Sequence, residues 1–147
     1  MNAIELNNLV KTFGKDTILQ GITHSFERGR IHGIVGNNGS GKTVMFKCIC
    51  GFLQPTSGTV LVDGKQIGKD ADFPESLGLI IEAPGFLPEM TGLKNLELLA
   101  GLKGRITRKE AAEARARVGL DPESPKRVRA YSLGMRQRLG IAQAIME

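Results

Sequence analysis

The stretch Gly36-Asn37-Asn38-Gly39-Ser40-Gly41-Lys42-Thr43 constrains this chain more than any other. Its spacing is G-x-x-x-x-G-K-[ST], the pattern of a phosphate-cradling loop between a strand and a helix. The flanks fit. Ile31-His32-Gly33-Ile34-Val35 predicts a short buried strand, and Val44 to Cys50 predicts a helix with Gly51 as its C-terminal cap. A polyphosphate needs many donors at close range. Gly36, Gly39 and Gly41 are expected to take positive φ and bring backbone N–H groups up to the oxygens. Those amides form an anion nest at a helix N-terminus, where the dipole adds positive potential. Lys42 supplies a mobile full charge, and the Thr43 hydroxyl is placed to ligate Mg²⁺. No G-x-S-x-G or G-x-G-x-x-G pattern overlaps the loop.

Strand and helix signals divide along the chain. Residues 3–10 alternate imperfectly through Ile4, Leu6 and Leu9 and predict a strand. Phe13-Gly14-Lys15-Asp16 predicts a turn, and residues 17–26 a second strand. Thr59 to Val62 predicts a strand, Asp63-Gly64 a hairpin turn, and Lys65 to Ile67 its return. Residues 68–76 are polar and irregular, and Leu77 to Glu82 predicts another buried strand. Beyond Pro88 the pattern turns helical. Thr91 caps a helix carrying Leu93, Leu96, Leu99 and Ala100. Thr107-Arg108-Lys109-Glu110 is a capping box opening a helix that ends near Gly119. Ser132 caps a last helix running toward Glu147.

Composition narrows the class. With 147 residues, 41% hydrophobic and 24% charged, the chain suits one globular domain. No apolar run approaches a membrane span, and no secretory signal precedes Ile4. Cys48 and Cys50 sit two apart on the helix after the loop and read as buried free thiols, which points to a reducing compartment. The charge of +5 is uneven: residues 105–138 hold ten basic side chains against four acidic ones. That segment lacks interleaved aromatics for stacking on bases, so it reads as a solvated helical face, with no nucleic-acid partner expected.

The segment Tyr131-Ser132-Leu133-Gly134-Met135-Arg136-Gln137-Arg138-Leu139 resembles the signature region of ABC transporter ATP-binding subunits, usually L-S-G-G-Q followed by x-Q-R. Other landmarks agree in order: Phe13 ahead of the glycine loop, Thr56-Ser57-Gly58-Thr59 through Asp63-Gly64, the strand ending at Glu82, and the helix start from Thr91 to Asn95-Leu96. The resemblance spans the whole chain. It implies an α/β fold: a P-loop NTPase with a RecA-like core and N-terminal antiparallel β strands, plus a helical subdomain. The expected boundaries are 1–88 for the nucleotide-binding core with its β subdomain, 89–138 for the helical subdomain, and 139–147 for the return to the core.

The resemblance also implies roles. ATP and Mg²⁺ are the expected cofactors. Phe13 stacks on adenine, or else closes a strand end as a core residue. Gly36, Asn37, Asn38, Gly39, Ser40, Gly41, Lys42, Thr43 and Val44 hold the phosphates. Thr43 and Glu82 face Mg²⁺, and Lys42 and Glu82 carry the catalytic assignment. Ser132, Gly134 and Met135 form a second anion site that meets nucleotide held by an opposite subunit, while Ser132 is also a plain N-cap. The implied partners are a second ATP-binding subunit in a head-to-tail dimer and a transmembrane permease. The implied place is the cytoplasmic face of the membrane. Three residues depart from the usual pattern: Glu82 replaces Gln, Leu133 replaces Gly, and Val44 replaces a second hydroxyl. These variants resemble the branch of exporters tied to bacitracin and lantibiotic resistance. The family continues with a strand ending in Asp-Glu and a downstream His. Residues 1–147 supply neither, so by themselves they are expected to bind nucleotide without hydrolysing it efficiently. A soluble ABC-type ATPase acting on nucleic acid or ribosomes, and a P-loop kinase or GTPase, are the alternatives.

Overall fold

The computed structural model describes residues 1–146; Glu147, the last residue of the final predicted helix, lies outside the described residues. The chain divides into two compact units, Met1–Glu75 and Ser76–Glu147.

The first unit is built on an antiparallel sheet in the order β2-β1-β3-β4. Its strands are β1 (Asn2–Phe13), β2 (Asp16–Glu27), β3 (Ser57–Val62) and β4 (Lys65–Gln66). Both predicted turns form. Gly14 (φ 57) turns the β1–β2 hairpin, and Asp63 (φ 50) with Gly64 (φ 77) makes the two-residue, left-handed turn that suits the twist of β3 and β4. The imperfect alternation of β1 has a cause. Leu6 and Leu9 are both fully buried although three apart, which a period of two forbids. A bulge at Asn8 (φ 48) shifts the register between them, and its amide is held by Thr23 Oγ1 at 2.9 Å. Gly58 (φ 81) completes the fit, because a Cβ there would overlap the Asn8 carbonyl.

One face of this sheet packs on α1 (Lys42–Ile49). Leu6, Leu9, Leu19, Phe26, Val60 and Val62 close over Met45, Cys48 and Ile49. The helix starts at Lys42, two residues earlier than Val44, because Gly41 caps it from a left-handed conformation. It ends as expected: Cys50 is the C-cap, and Gly51 (φ 82) follows in the left-handed region with its amide on the Cys48 carbonyl. Both cysteines are free and buried, and burial raises both thiol pKa values.

The strand predicted at 31–35 does not form. Ile31 and Val35 are fully exposed, and no ladder partner pairs with them among the described residues. An apolar run acquires strand structure only when a neighbouring strand satisfies its backbone. The strand predicted at Leu77–Glu82 fails for the same reason. It keeps an alternation in which Leu77, Leu79 and Ile81 are half-buried, but it makes no sheet.

The second unit is helical: α2 (Gly92–Lys103), α3 (Arg108–Arg117) and α4 (Leu133–Ile145). All three begin where the sequence places a cap. Thr91 accepts from the Lys94 amide at 3.2 Å, and Ser132 from the Met135 amide at 3.2 Å. The Thr107–Glu110 capping box is complete in both directions. Leu93, Leu96, Ala111, Ala114, Tyr131, Leu139 and Ala142 share the core. Residues 76–88 belong with these helices, so the division falls at 75/76, whereas the sequence reading draws it at 88/89. Gly140 of α4 lets Pro84 approach so closely that a Cβ would lie 2.8 Å from its Cγ. Buried Asn95 binds the Leu87 backbone twice, accepting from its N–H at 2.7 Å and donating to its carbonyl at 3.1 Å.

The basic stretch 105–138 is solvated only in part. Arg127 and Arg129 share Glu89 at 3.4 and 3.1 Å on the surface. Arg115 is instead buried, 1% exposed.

Candidate functional site: an uncapped helix N-terminus under a glycine loop

The α-helices α2, α3 and α4 each have their N-terminus closed by a Thr or Ser hydroxyl, whereas α1 has none: Gly41 is its N-cap, without a side chain to bond the first-turn amides. The first amide donating back along α1 is that of Met45, to the Gly41 carbonyl at 2.9 Å. The first-turn N–H groups of Lys42, Thr43 and Val44 therefore point out of the helix with no acceptor in it. No acidic residue lies in that turn to occupy the dipole.

The glycines have distinct duties. Gly39 (φ 82) and Gly41 (φ 93) occupy the left-handed region, as expected. Gly36 does not. Its requirement is space, because a Cβ there would stand 2.6 Å from Ser40 Oγ. Gly41 combines both needs, since a Cβ would meet Leu19 Cδ2 at 2.9 Å and Ile18 Cγ2 at 3.0 Å. Ser40 closes the loop by donating its amide to the Asn37 carbonyl at 3.1 Å. The Lys42 ammonium folds over the loop and donates to the carbonyls of Gly36 (2.5 Å) and Asn37 (2.9 Å). Ser40 Oγ lies 3.4 Å from the same nitrogen.

A cleft of about 460 Å³ opens over this turn, lined by Phe13, Ile18, Asn38, Gly39, Gly41, Lys42, Thr43 and Val44. The structure thus brings Phe13 and the glycine loop to one cleft. Phe13 is 43% exposed, which removes it from the core, and its ring lies 5.1 Å from Lys11 Nζ. Lys11 is itself held by the Gln54 carbonyl at 2.7 Å. Ile18 escaped the sequence reading, because only the β1–β2 hairpin carries it beside the loop.

The remaining predicted residues lie in the second unit. Glu82 is exposed and sits at φ 61, an uncommon conformation for a residue with a Cβ. Ser132 is the N-cap of α4 and its hydroxyl takes the Met135 amide, so only the Leu133 and Gly134 amides of that turn stay open. A Cβ at Gly134 would meet nothing nearer than Ser132 Oγ at 4.0 Å, and Leu133 is 74% exposed. Met135 packs against the helical core. No described helix is long and apolar enough to cross a membrane.

The uncapped helix under the glycine loop therefore gathers open first-turn amides and the Lys42 ammonium at one turn. Residues 19–147 match the ABC transporter family, and the chain belongs to it. It is 42% identical over 144 residues to an ABC transporter ATP-binding protein of Bacillus subtilis, YybJ, covering 98% of this chain and 66% of that one. It is also 42% identical to the bacitracin transport ATP-binding protein BcrA of Enterococcus faecalis, over 97% of this chain and 47% of the relative. A lantibiotic transport ATP-binding protein of Streptococcus pyogenes, SrtF, is 29% identical over 97% of this chain and 61% of its own length. The chain therefore spans about half to two thirds of the length of these relatives. Among solved structures, a dimeric ATP-binding cassette in a post-hydrolysis state bound to ADP and Pi matches with a TM-score of 0.78 at 25% identity, covering 97% of this chain and 69% of that one. The cbiO1 protein of Clostridium perfringens, part of the cbiONQ complex, shares the fold with a TM-score of 0.86 at 24% identity, over 99% of this chain and 61% of its own.

Proposed function

We propose that this chain is the nucleotide-binding part of an ATP-binding subunit that couples ATP binding and hydrolysis to export through a membrane permease. The observation that carries the reading is the open N-terminus of α1, with Lys42, the glycine loop and Phe13 lining one cleft. The cleft suits a nucleoside polyphosphate. The free amides of Lys42, Thr43 and Val44 donate to phosphate oxygens along the helix dipole. Lys42 leaves the loop carbonyls for a phosphate charge, and Phe13 offers an aromatic face to the base. Val44 contributes its amide but no hydroxyl, so one side-chain bond to the α-phosphate is lost.

Asn38 and Thr43 bring the side-chain oxygens of the cleft lining among the described residues. Thr43 suits Mg²⁺, which draws most of its ligands from phosphate and water rather than from a protein cage. Glu82 is the candidate carboxylate for that metal shell. Ser132 with the open amides of Leu133 and Gly134 is the surface offered to the nucleotide of a second copy. The names of the bacitracin and lantibiotic relatives support export of a peptide-like substrate, and a permease would hold the subunit at the cytoplasmic membrane face.

Calorimetric titration with ATP tests the reading. Lys42→Ala is expected to weaken binding by about 1.5–3 kcal/mol, the scale of a hydrogen bond to a charged group. Equal affinities would remove Lys42 from the site. A Mg²⁺ titration of Glu82→Gln, run beside it, assigns Glu82 to the metal shell if the Mg²⁺ dependence weakens and to the plain surface if it does not.

A further inference from the structure

Arg115 is the largest fully buried side chain among the described residues, and no described carboxylate pairs with it. Its Nη1 donates to the Pro122 carbonyl at 2.6 Å and its Nη2 to the Tyr131 hydroxyl at 3.2 Å. Its Nε is buried with no acceptor among the described residues. A buried guanidinium left short of partners does not serve stability, for which an apolar side chain of that size suffices. What it does serve is placement. Tyr131 is itself only 5% exposed and directly precedes Ser132, the cap of α4. Its hydroxyl also presses on the first residue of α2, where a Cβ on Gly92 would lie 2.5 Å from it. One hydroxyl thus bonds α3 through Arg115, lies close to the start of α2 at Gly92 and belongs to the residue that leads into the α4 cap.

We propose that Arg115 and Tyr131 are positioning residues for the Ser132–Met135 turn, fixing where its free amides stand when they meet the nucleotide of a second copy. This rests on the reading of that turn given above. Arg115 anchors on the Pro122 carbonyl and holds the phenol. The phenol sets the exit of the short 3-10 turn at Val128–Ala130, whose end bond runs from the Tyr131 amide to the Val128 carbonyl at 2.9 Å. The backbone entering the α4 cap is then fixed from both sides.

Tyr131→Phe in the full chain is the clean perturbation, since it keeps the ring and removes one oxygen. Amide exchange is expected to quicken about 5- to 10-fold at Met135 and Arg136, the loss of a single hydrogen bond. The capped amide of Glu110 at the start of α3 should not change, and the ATP affinity of the glycine loop should stay within about twofold. ATP-driven self-association should weaken in Tyr131→Phe as it does in Ser132→Ala. Arg115→Lys, which keeps the charge but not the forked geometry, should reproduce the exchange result. Equal quickening at all three helix starts would mean general loosening and overturn the proposal, as would no change at Met135. Intact self-association in Ser132→Ala would instead sink the two-copy reading, while the exchange data judge the positioning pair separately.

Discussion

Gly41→Ala and Gly39→Ala separate two costs that the glycine loop combines. Both glycines have positive φ, 93 and 82. Forcing a Cβ into that region costs about 1–2 kcal/mol, and the lower entropy of the unfolded alanine chain offsets about 0.4–1 kcal/mol of it, leaving roughly 0–1.5 kcal/mol. At Gly39 nothing lies within 4 Å of the added atom, so this backbone cost is the whole effect. At Gly41 the Cβ stands 2.9 Å from Leu19 Cδ2, 3.0 Å from Ile18 Cγ2 and 3.3 Å from the Ile18 carbonyl. Relaxed carbon contacts are about 3.5–4.0 Å. Leu19 is 2% exposed and locked in the sheet core, so β2 must shift. Overpacking of that kind adds about 1–3 kcal/mol. Urea unfolding should therefore rank Gly41→Ala below Gly39→Ala by about 1–3 kcal/mol. ATP titration should show Gly41→Ala weakened as well, because Ile18 lines the cleft. Stabilities within about 0.5 kcal/mol of each other would refute the argument, since β2 would then yield freely and the close approach at Gly41 would carry no constraint.

Two further outcomes follow from the helical unit. Asn95→Ala should destabilise that unit by about 2–4 kcal/mol in chemical denaturation, because it strips partners from the Leu87 N–H and carbonyl in a partly buried setting. The Glu110 carboxylate is held below its ordinary pKa first by the Thr107 backbone amide and then by the Thr107 hydroxyl. Its contribution to α3 is present above the ordinary glutamate range and is lost as pH falls through the lowered value. Helix content followed by circular dichroism should show this acid loss in the wild type and a flatter profile in Glu110→Gln.

What the sequence determined by itself is local. The three hydroxyl caps, the Thr107–Glu110 box, the Asp63-Gly64 turn, the Gly51 stop and the glycine loop each depend on bonds between residues two to six positions apart. Their chemistry is complete within a short window, so residue type and spacing suffice. Phe13 could be placed ahead of the loop, yet whether it faced the core or the cleft depended on the β1–β2 hairpin. Tertiary structure decided the rest. Residues 31–35 and 77–82 carry strand-like apolar patterns, but a strand exists only where another chain segment satisfies its amides, and no window reveals that partner. Leu6 and Leu9 share a face only because Asn8 bulges against Thr23, fifteen residues away. Arg115 reads as one more charge on a solvated helix. It is buried because Pro122 and Tyr131 converge on it from outside its own helix, and burial is a property of everything packed around a residue rather than of the residue.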